Sequence, residues 1–295
     1  SGIITKVNMI YFSIIIGLSQ GLQPIVSFNY GAKKYGRVIE AYRLTLLIGT
    51  VVSIIAFACF QLFPRQIISI FGTGSEMNNG AVITHEEKKI KGALWGAQAD
   101  FAFLDPSYTL TVPMKQVISG AFDTLSHAME TYFGKPDENN LSDDINEAVM
   151  RSVIRNTRVL LTDPENYDAR SELAWAAAMA ENGILKIGKV TDFQCHMIEH
   201  QLGAYTNCNH GAGLAVIHPV LYRHIYKSGA ARFARFAQNV WGVAPKGSIE
   251  ETAAAGIDAL AAFIKEIGLP TSFAELGIPC LLYTSDAADD LTRVD

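Results

Sequence analysis

The amino-acid sequence predicts a mainly α protein, in which a helical metal-binding domain follows about two transmembrane-type helices. Three observations carry that prediction. The first 72 residues are strongly apolar, while charge returns at ordinary density after Gly72. From Met114 onward, one amphipathic helical pattern follows another. Five of the seven histidines fall between residues 127 and 218, four of them in the 23 residues from His196 to His218.

A chain of 295 residues is long enough to bury a sizeable core as one large domain or two smaller ones. Its net charge of −5 lacks the basic footprint that nucleic-acid binding needs, which sets that class aside. Cys59, Cys195, Cys208 and Cys280 are scattered without CxxC spacing. Without a recognisable secretory signal, this pattern favours reduced thiols, and the part after residue 72 is expected to be cytoplasmic.

In chain order, residues 1–72 read as membrane-inserted. No charge occurs between Lys6 and Lys33, and Val7 to Phe28 is long enough to cross a hydrocarbon core of roughly 30 Å as a helix. Leu44 to Phe63 forms a second uncharged run, and the connecting Lys33, Lys34, Arg37 and Arg43, set against Glu40, are expected to face the cytoplasm. Short strands are predicted at Ala81 to Thr84 and Phe101 to Leu104. Helices are predicted over Lys115 to Phe133, Ser142 to Leu161, Tyr167 to Leu185, Thr191 to Tyr205, His210 to Tyr226, Ala230 to Trp241 and Ile249 to Ile267. Asp163-Pro164-Glu165 separates two of these helices, and Ser248 with Glu251 makes an S-x-x-E capping box.

The histidine spacing points to chemistry. Asp123 and His127 stand four apart, so on a helix they project from one face, and His196 and His200 repeat that spacing. His210 follows ten residues later, after an Asn207-Cys208-Asn209 turn. One carboxylate with two or three imidazoles suits Fe(II) or Zn(II) better than calcium or magnesium. With a position left open, such a metal serves as a Lewis acid for an alcohol or carbonyl oxygen. His85, in a charged HEEKK run, His218, before Pro219, and His224 read as polar surface or turn residues. HMIEH has the histidine spacing of the zinc-protease helix, but Glu199 is misplaced for that motif's general base.

Four segments in order, TGSEMNNGAVITHEEKKIKGA, FLDPSYTLTVP, SGAFDTLSHAMETYF and HMIEHQLGAYTNCNHGAGLAVIHP, resemble the iron-dependent alcohol dehydrogenases, in their butanol dehydrogenase and aldehyde reductase branch. That resemblance covers residues 73–279. It implies a dehydroquinate synthase-like fold, with residues 73–112 as a remnant of its nucleotide-binding α/β domain and 113–279 as its helical metal-binding domain. It also implies Asp123, His127, His196 and His210 as ligands of Fe(2+) or Zn(2+), His200 beside the nicotinamide, and Thr73, Gly74 and Ser75 touching NAD or NADP. The reaction implied is hydride transfer between a primary alcohol, as a metal-held alkoxide, and the nicotinamide, with a homodimer as the assembly. The Gly-rich pyrophosphate cradle of the family lies outside the matching segments, so turnover by this chain alone is expected to be undetectable.

Residues 1–72 resemble a different family, the multidrug and toxin extrusion (MATE) transporters, through GLSQGLQPIVSFNYGAKKYGRVIEA and QLFPRQIISIFG. The alternative function is therefore that of an antiporter fragment. CLLYTSDAADD, at residues 280–290, is similar to a translated sequencing adapter, which marks 280–295 as a non-native tail and the whole as an assembly chimera.

Overall fold

The computed structural model describes residues 2–62, 77–85, 87–96, 104–136, 138–191 and 193–279, and they fall into two compact units. Thr73, Gly74, Ser75, the segment 280–295 and most of the strand expected at Phe101 to Leu104 lie outside the described residues.

The first unit is a pair of helices, α1 (Gly2–Gly31) and α2 (Tyr35–Leu62), packed against each other. The turn between them contains Lys33 at φ 55°. Both apolar runs are helical. By length and composition, one stretch among the described residues could cross a membrane, Tyr35–Ile55, with mean hydropathy 1.8. Its start falls earlier than the charge-free run alone suggests, because flanking Arg and Glu residues are tolerated at a span's end.

The second unit opens with an antiparallel hairpin, β1 (Gly80–His85) and β2 (Ile90–Trp95), paired from Gly80 with Trp95 to His85 with Ile90. The first strand agrees with expectation. The second was not expected: its IKGALW sequence follows a run of lysines and alternates too weakly to announce a strand. Leu104 lies in no strand.

Seven helices follow, close to the expected bounds: α3 (Met114–Tyr132), α4 (Leu141–Thr162), α5 (Tyr167–Glu181), α6 (Gln194–Thr206), α7 (His210–Ile225), α8 (Ala230–Asn239) and α9 (Ile249–Glu266). Local chemistry sets their starts. Asn140 with Asp143 and Ser248 with Glu251 form capping boxes, and the Asn166 and Asn209 side chains accept from Ala169 and Ala212 N–H groups. The expected Tyr167 to Leu185 helix stops at Glu181, because Gly183 turns left-handed at φ 91° and a 3-10 turn, Ile184–Lys186, follows.

Helix α3 is the centre of this unit and packs against α4, α5 and α7. From Ala121 to Tyr132 it is buried nearly all round, with Phe122, Leu125, Met129 and Tyr132 fully enclosed. Each such apolar side chain contributes about 1.5–3 kcal/mol when buried. A helix fixed on all sides holds its polar side chains, Asp123 and His127 among them, in defined places.

Candidate metal centre

Two helices and one helix start converge on a single point. Asp123 and His127 come from α3, His196 from the first turn of α6, and His210 from the first residue of α7. Two left-handed residues make the approach: Phe193 (φ 52°) opens α6, and Asn207 (φ 52°) ends it so that the chain can re-enter as α7 after two residues. Asn209 caps α7 and also accepts from Ser119 of α3, which fixes His210 relative to Asp123.

Asp123 Oδ1 lies 3.6 Å from His127 Nε2, 3.4 Å from His196 Nε2 and 3.5 Å from His210 Nε2, and the Nε2 atoms of His127 and His196 are 3.1 Å apart. That oxygen is buried and has no hydrogen-bond partner among the described residues, an arrangement that costs free energy unless something else meets it. Asp123, His127 and His196 each bring a ligand atom within 4.8 Å of the others, close enough to share one ion, and His210 joins them through Asp123 Oδ1. One carboxylate with three imidazoles is a donor set for Fe(II) or Zn(II). The residues present therefore fit a divalent transition metal.

A shell of carboxylates surrounds the histidines. Glu130 of α3 contacts His196 Nδ1 and accepts from the Cys195 N–H at 2.6 Å and the His196 N–H at 3.3 Å. Glu199, fully buried on α6, contacts His210 Nδ1 and pairs with Lys91 of β2 at 2.9 Å. Glu181, the last residue of α5, lies 2.5 Å from His127 Nε2 and accepts from Asn78 Nδ2 at 2.9 Å. Asp123, Glu130, Glu181 and Glu199 together outnumber the ammonium of Lys91, and a divalent cation offsets that excess.

The electrostatics agree. Burial raises the Asp123 carboxyl, but His127, His210 and His196 override it and hold it far below the carboxylate range. Burial likewise opposes ionisation of Glu130 and Glu181, yet His196 and His127 respectively keep both below their ordinary values. His196 is pushed up to about 9: burial acts against its charge, and Asp123 and Glu130 outweigh burial. His200 is pulled down to about 4 by burial, then by Lys91 and His210.

Each expected histidine has a defined place. Asp123, His127, His196 and His210 meet, while His200 is buried beside them, its ring 5.7 Å from that of His210, in a second grouping with Glu199 and His210. The misplaced glutamate of HMIEH, Glu199, orients a histidine. Nothing in the sequence marked Glu130, Glu181, Lys91 or Asn78. Glu130 stands seven residues after Asp123, on the same helical face, which is the one signal that could have found it.

His218 corrects the sequence reading. It is fully buried in α7, with Nε2 2.5 Å from Ser126 Oγ, and burial pulls it down to about 4. Helix α7 runs through Pro219, as the expected His210 to Tyr226 helix does. Only that proline's own N–H is missing from the helix, and the packing of α7 against α3 holds the element together. His85 and His224 are exposed, as expected.

A family model described as Fe-containing alcohol dehydrogenase family, C-terminal, matches residues 117–288, and one described as MatE matches residues 1–97. The chain is 34% identical over 216 residues to NADH-dependent butanol dehydrogenase A of Clostridium acetobutylicum, covering 72% of this chain and 56% of that protein. It is 35% identical over 223 residues to the NADPH-dependent aldehyde reductase YqhD of Escherichia coli, covering 73% and 57%. Among solved structures, NADH-dependent butanol dehydrogenase A from Thermotoga maritima superimposes with a TM-score of 0.67 at 37% identity, over 70% of this chain and 52% of that one. The chain thus spans little more than half the length of the curated relatives it matches.

Proposed function

The chain belongs to the Fe-containing alcohol dehydrogenase family, and we propose that Asp123, His127, His196 and His210 hold one Fe(II) or Zn(II) for interconverting a primary alcohol and its aldehyde with NAD or NADP. The observation that carries this reading is the buried, unpartnered Asp123 Oδ1 with three imidazole nitrogens 3.4–3.6 Å away.

When bound, the metal supplies a Lewis acid that polarises an alcohol or carbonyl oxygen. The protein supplies the rest. Glu130 and Glu199 accept the Nδ1 protons of His196 and His210, which selects the tautomer whose Nε2 lone pair faces Asp123. His200, kept neutral at pH 7 by burial, presents an imidazole beside the same point and can relay a proton there. The packing of α3 against its neighbours fixes Asp123 and His127, while the His127 and His210 side chains stay partly accessible from outside. Thr73, Gly74 and Ser75 take the cofactor-contacting role that the family resemblance implies. We place the dehydrogenase part in the cytoplasm, as a homodimer.

The chain spans 56% of the butanol dehydrogenase it matches, and the pyrophosphate cradle that the family resemblance implies lies outside the matching segments. The expected result with purified protein is therefore metal uptake without measurable butanal-dependent oxidation of NADH or NADPH. Turnover abolished by a chelator would instead show that the matched half holds the cofactor unaided.

A second reading, transport, is favoured by the MatE match alone. In agreement with it, α1 and α2 expose Phe28, Leu47 and Phe57 as a lipid-embedded pair would. Recovery of the chain in detergent-extractable membranes is the outcome this reading expects.

A further inference from the structure

The β1–β2 hairpin rests on the helices through two polar feet. Lys91 Nζ of β2 donates to Glu199 Oε2 at 2.9 Å, and Asn78 Nδ2, two residues before β1, donates to Glu181 Oε2 at 2.9 Å. Each of these glutamates also contacts a histidine of the candidate centre: Glu199 meets His210, and Glu181 meets His127. Hairpin and centre therefore share two carboxylates.

Apolar burial does little to hold this hairpin. A two-stranded hairpin alone is marginally stable in water, and Val82, Ile83, Ile90 and Trp95 are each more than half exposed. Strand β2 packs against α6, the helix that carries both Glu199 and His196. The Lys91 foot is built into that contact. Glu199 is fully buried, and an unpaired carboxylate at that depth is strongly unfavourable, so the ammonium is held to it. Gly203, one turn further along α6, makes the room: a Cβ there would come 3.2 Å from Lys91 Nζ and 3.0 Å from Glu199 Oε1. The Asn78 foot is aimed from the strand itself, because the Gly80 N–H donates to Asn78 Oδ1 at 3.1 Å.

We propose that the hairpin is a strap tied to the metal centre, with Lys91 and Asn78 as positioning residues that act through Glu199 and Glu181 on His210 and His127, so that metal binding and hairpin docking stabilise each other. The inference rests on the metal reading proposed above and deepens it. An ion held by His127 and His210 fixes those two rings. The rings fix the carboxylates they touch, and the carboxylates fix the feet. By linkage, a docked hairpin favours the ion to the same extent that the ion favours docking.

Amide hydrogen exchange read by mass spectrometry tests the coupling, with zinc alone as the probe and zinc content measured on the same samples. In the parent chain, zinc should slow exchange over residues 80–85 and 90–95 severalfold. A double variant, Asn78→Ala with Lys91→Met, should still take up zinc but show no such slowing, while α9 exchanges as in the parent. Gly203→Ala crowds the Lys91 foot and keeps both of its charges, and it should lose part of the slowing. Zinc uptake by the parent without slowing of the hairpin, or equal slowing in the parent and both variants, would overturn the coupling and leave the metal centre in place. No zinc uptake by the parent would overturn the metal reading and this inference with it.

Discussion

Asp123 Oδ1 on α3 and His196 Nε2 on α6 face each other at 3.4 Å, and neither contact nor distance is that of a hydrogen bond. Both side chains are buried. The proposed metal site starts from this pair, and so do its testable consequences.

Glu130 and Glu199 orient His196 and His210 from behind. Replacing either with Gln keeps the shape but removes the charged acceptor. Metal affinity should fall about 10–100-fold for each, measured by competition with a chromogenic chelator, with the helical circular dichroism unchanged.

The raised proton affinity of His196 makes uptake pH-dependent. In the metal-free chain its folded value of about 9 exceeds the unfolded 6.5. Its contribution to stability is therefore full below 6.5 and is lost as pH rises through 9. Metal must displace that proton, so uptake at pH 7 should release protons and apparent affinity should rise with pH toward 9. Calorimetry in buffers of different ionisation heat reads both.

Buried His218 acts with the opposite sign. Its folded value of about 4 lies below the unfolded 6.5, so the unfolded chain binds more protons between those values. Stability attributable to it is full above pH 6.5 and falls as pH drops toward 4, by about 2 kcal/mol at pH 5. Urea unfolding at pH 7 and pH 5 should show a smaller acid loss in His218→Asn than in the parent.

Gly211 follows His210, and a Cβ there would come 2.1 Å from the Ser119 carbonyl oxygen of α3. Gly211→Ala should therefore force α7 away from α3, costing about 1–3 kcal/mol in urea unfolding and weakening metal binding by displacing His210. Gly120→Ala, on α3 with open space at the same position, should leave the metal site intact.

Most of the second unit was legible because its helices carry regular apolar periodicity and self-contained caps, such as Ser248 with Glu251. The approach of Asp123 to His127, His196 and His210 was legible as well, through i to i+4 spacing and the family resemblance. Glu181 and Lys91 were not. A glutamate near a helix end and a lysine in a charged run read as solvated surface, and only the packing of α5 and β2 beside α3 and α6 gives them their roles. His218 was misread for a related reason: a following proline is local information, while burial against Ser126 depends on a residue 92 positions away.

The most direct test of the central claim is elemental analysis of the purified chain alongside Asp123→Ala and His196→Ala. The account predicts about one iron or zinc per parent chain and none in either variant, all three remaining helical. Metal-free parent protein that is soluble and folded, or variants that retain the metal, would contradict it.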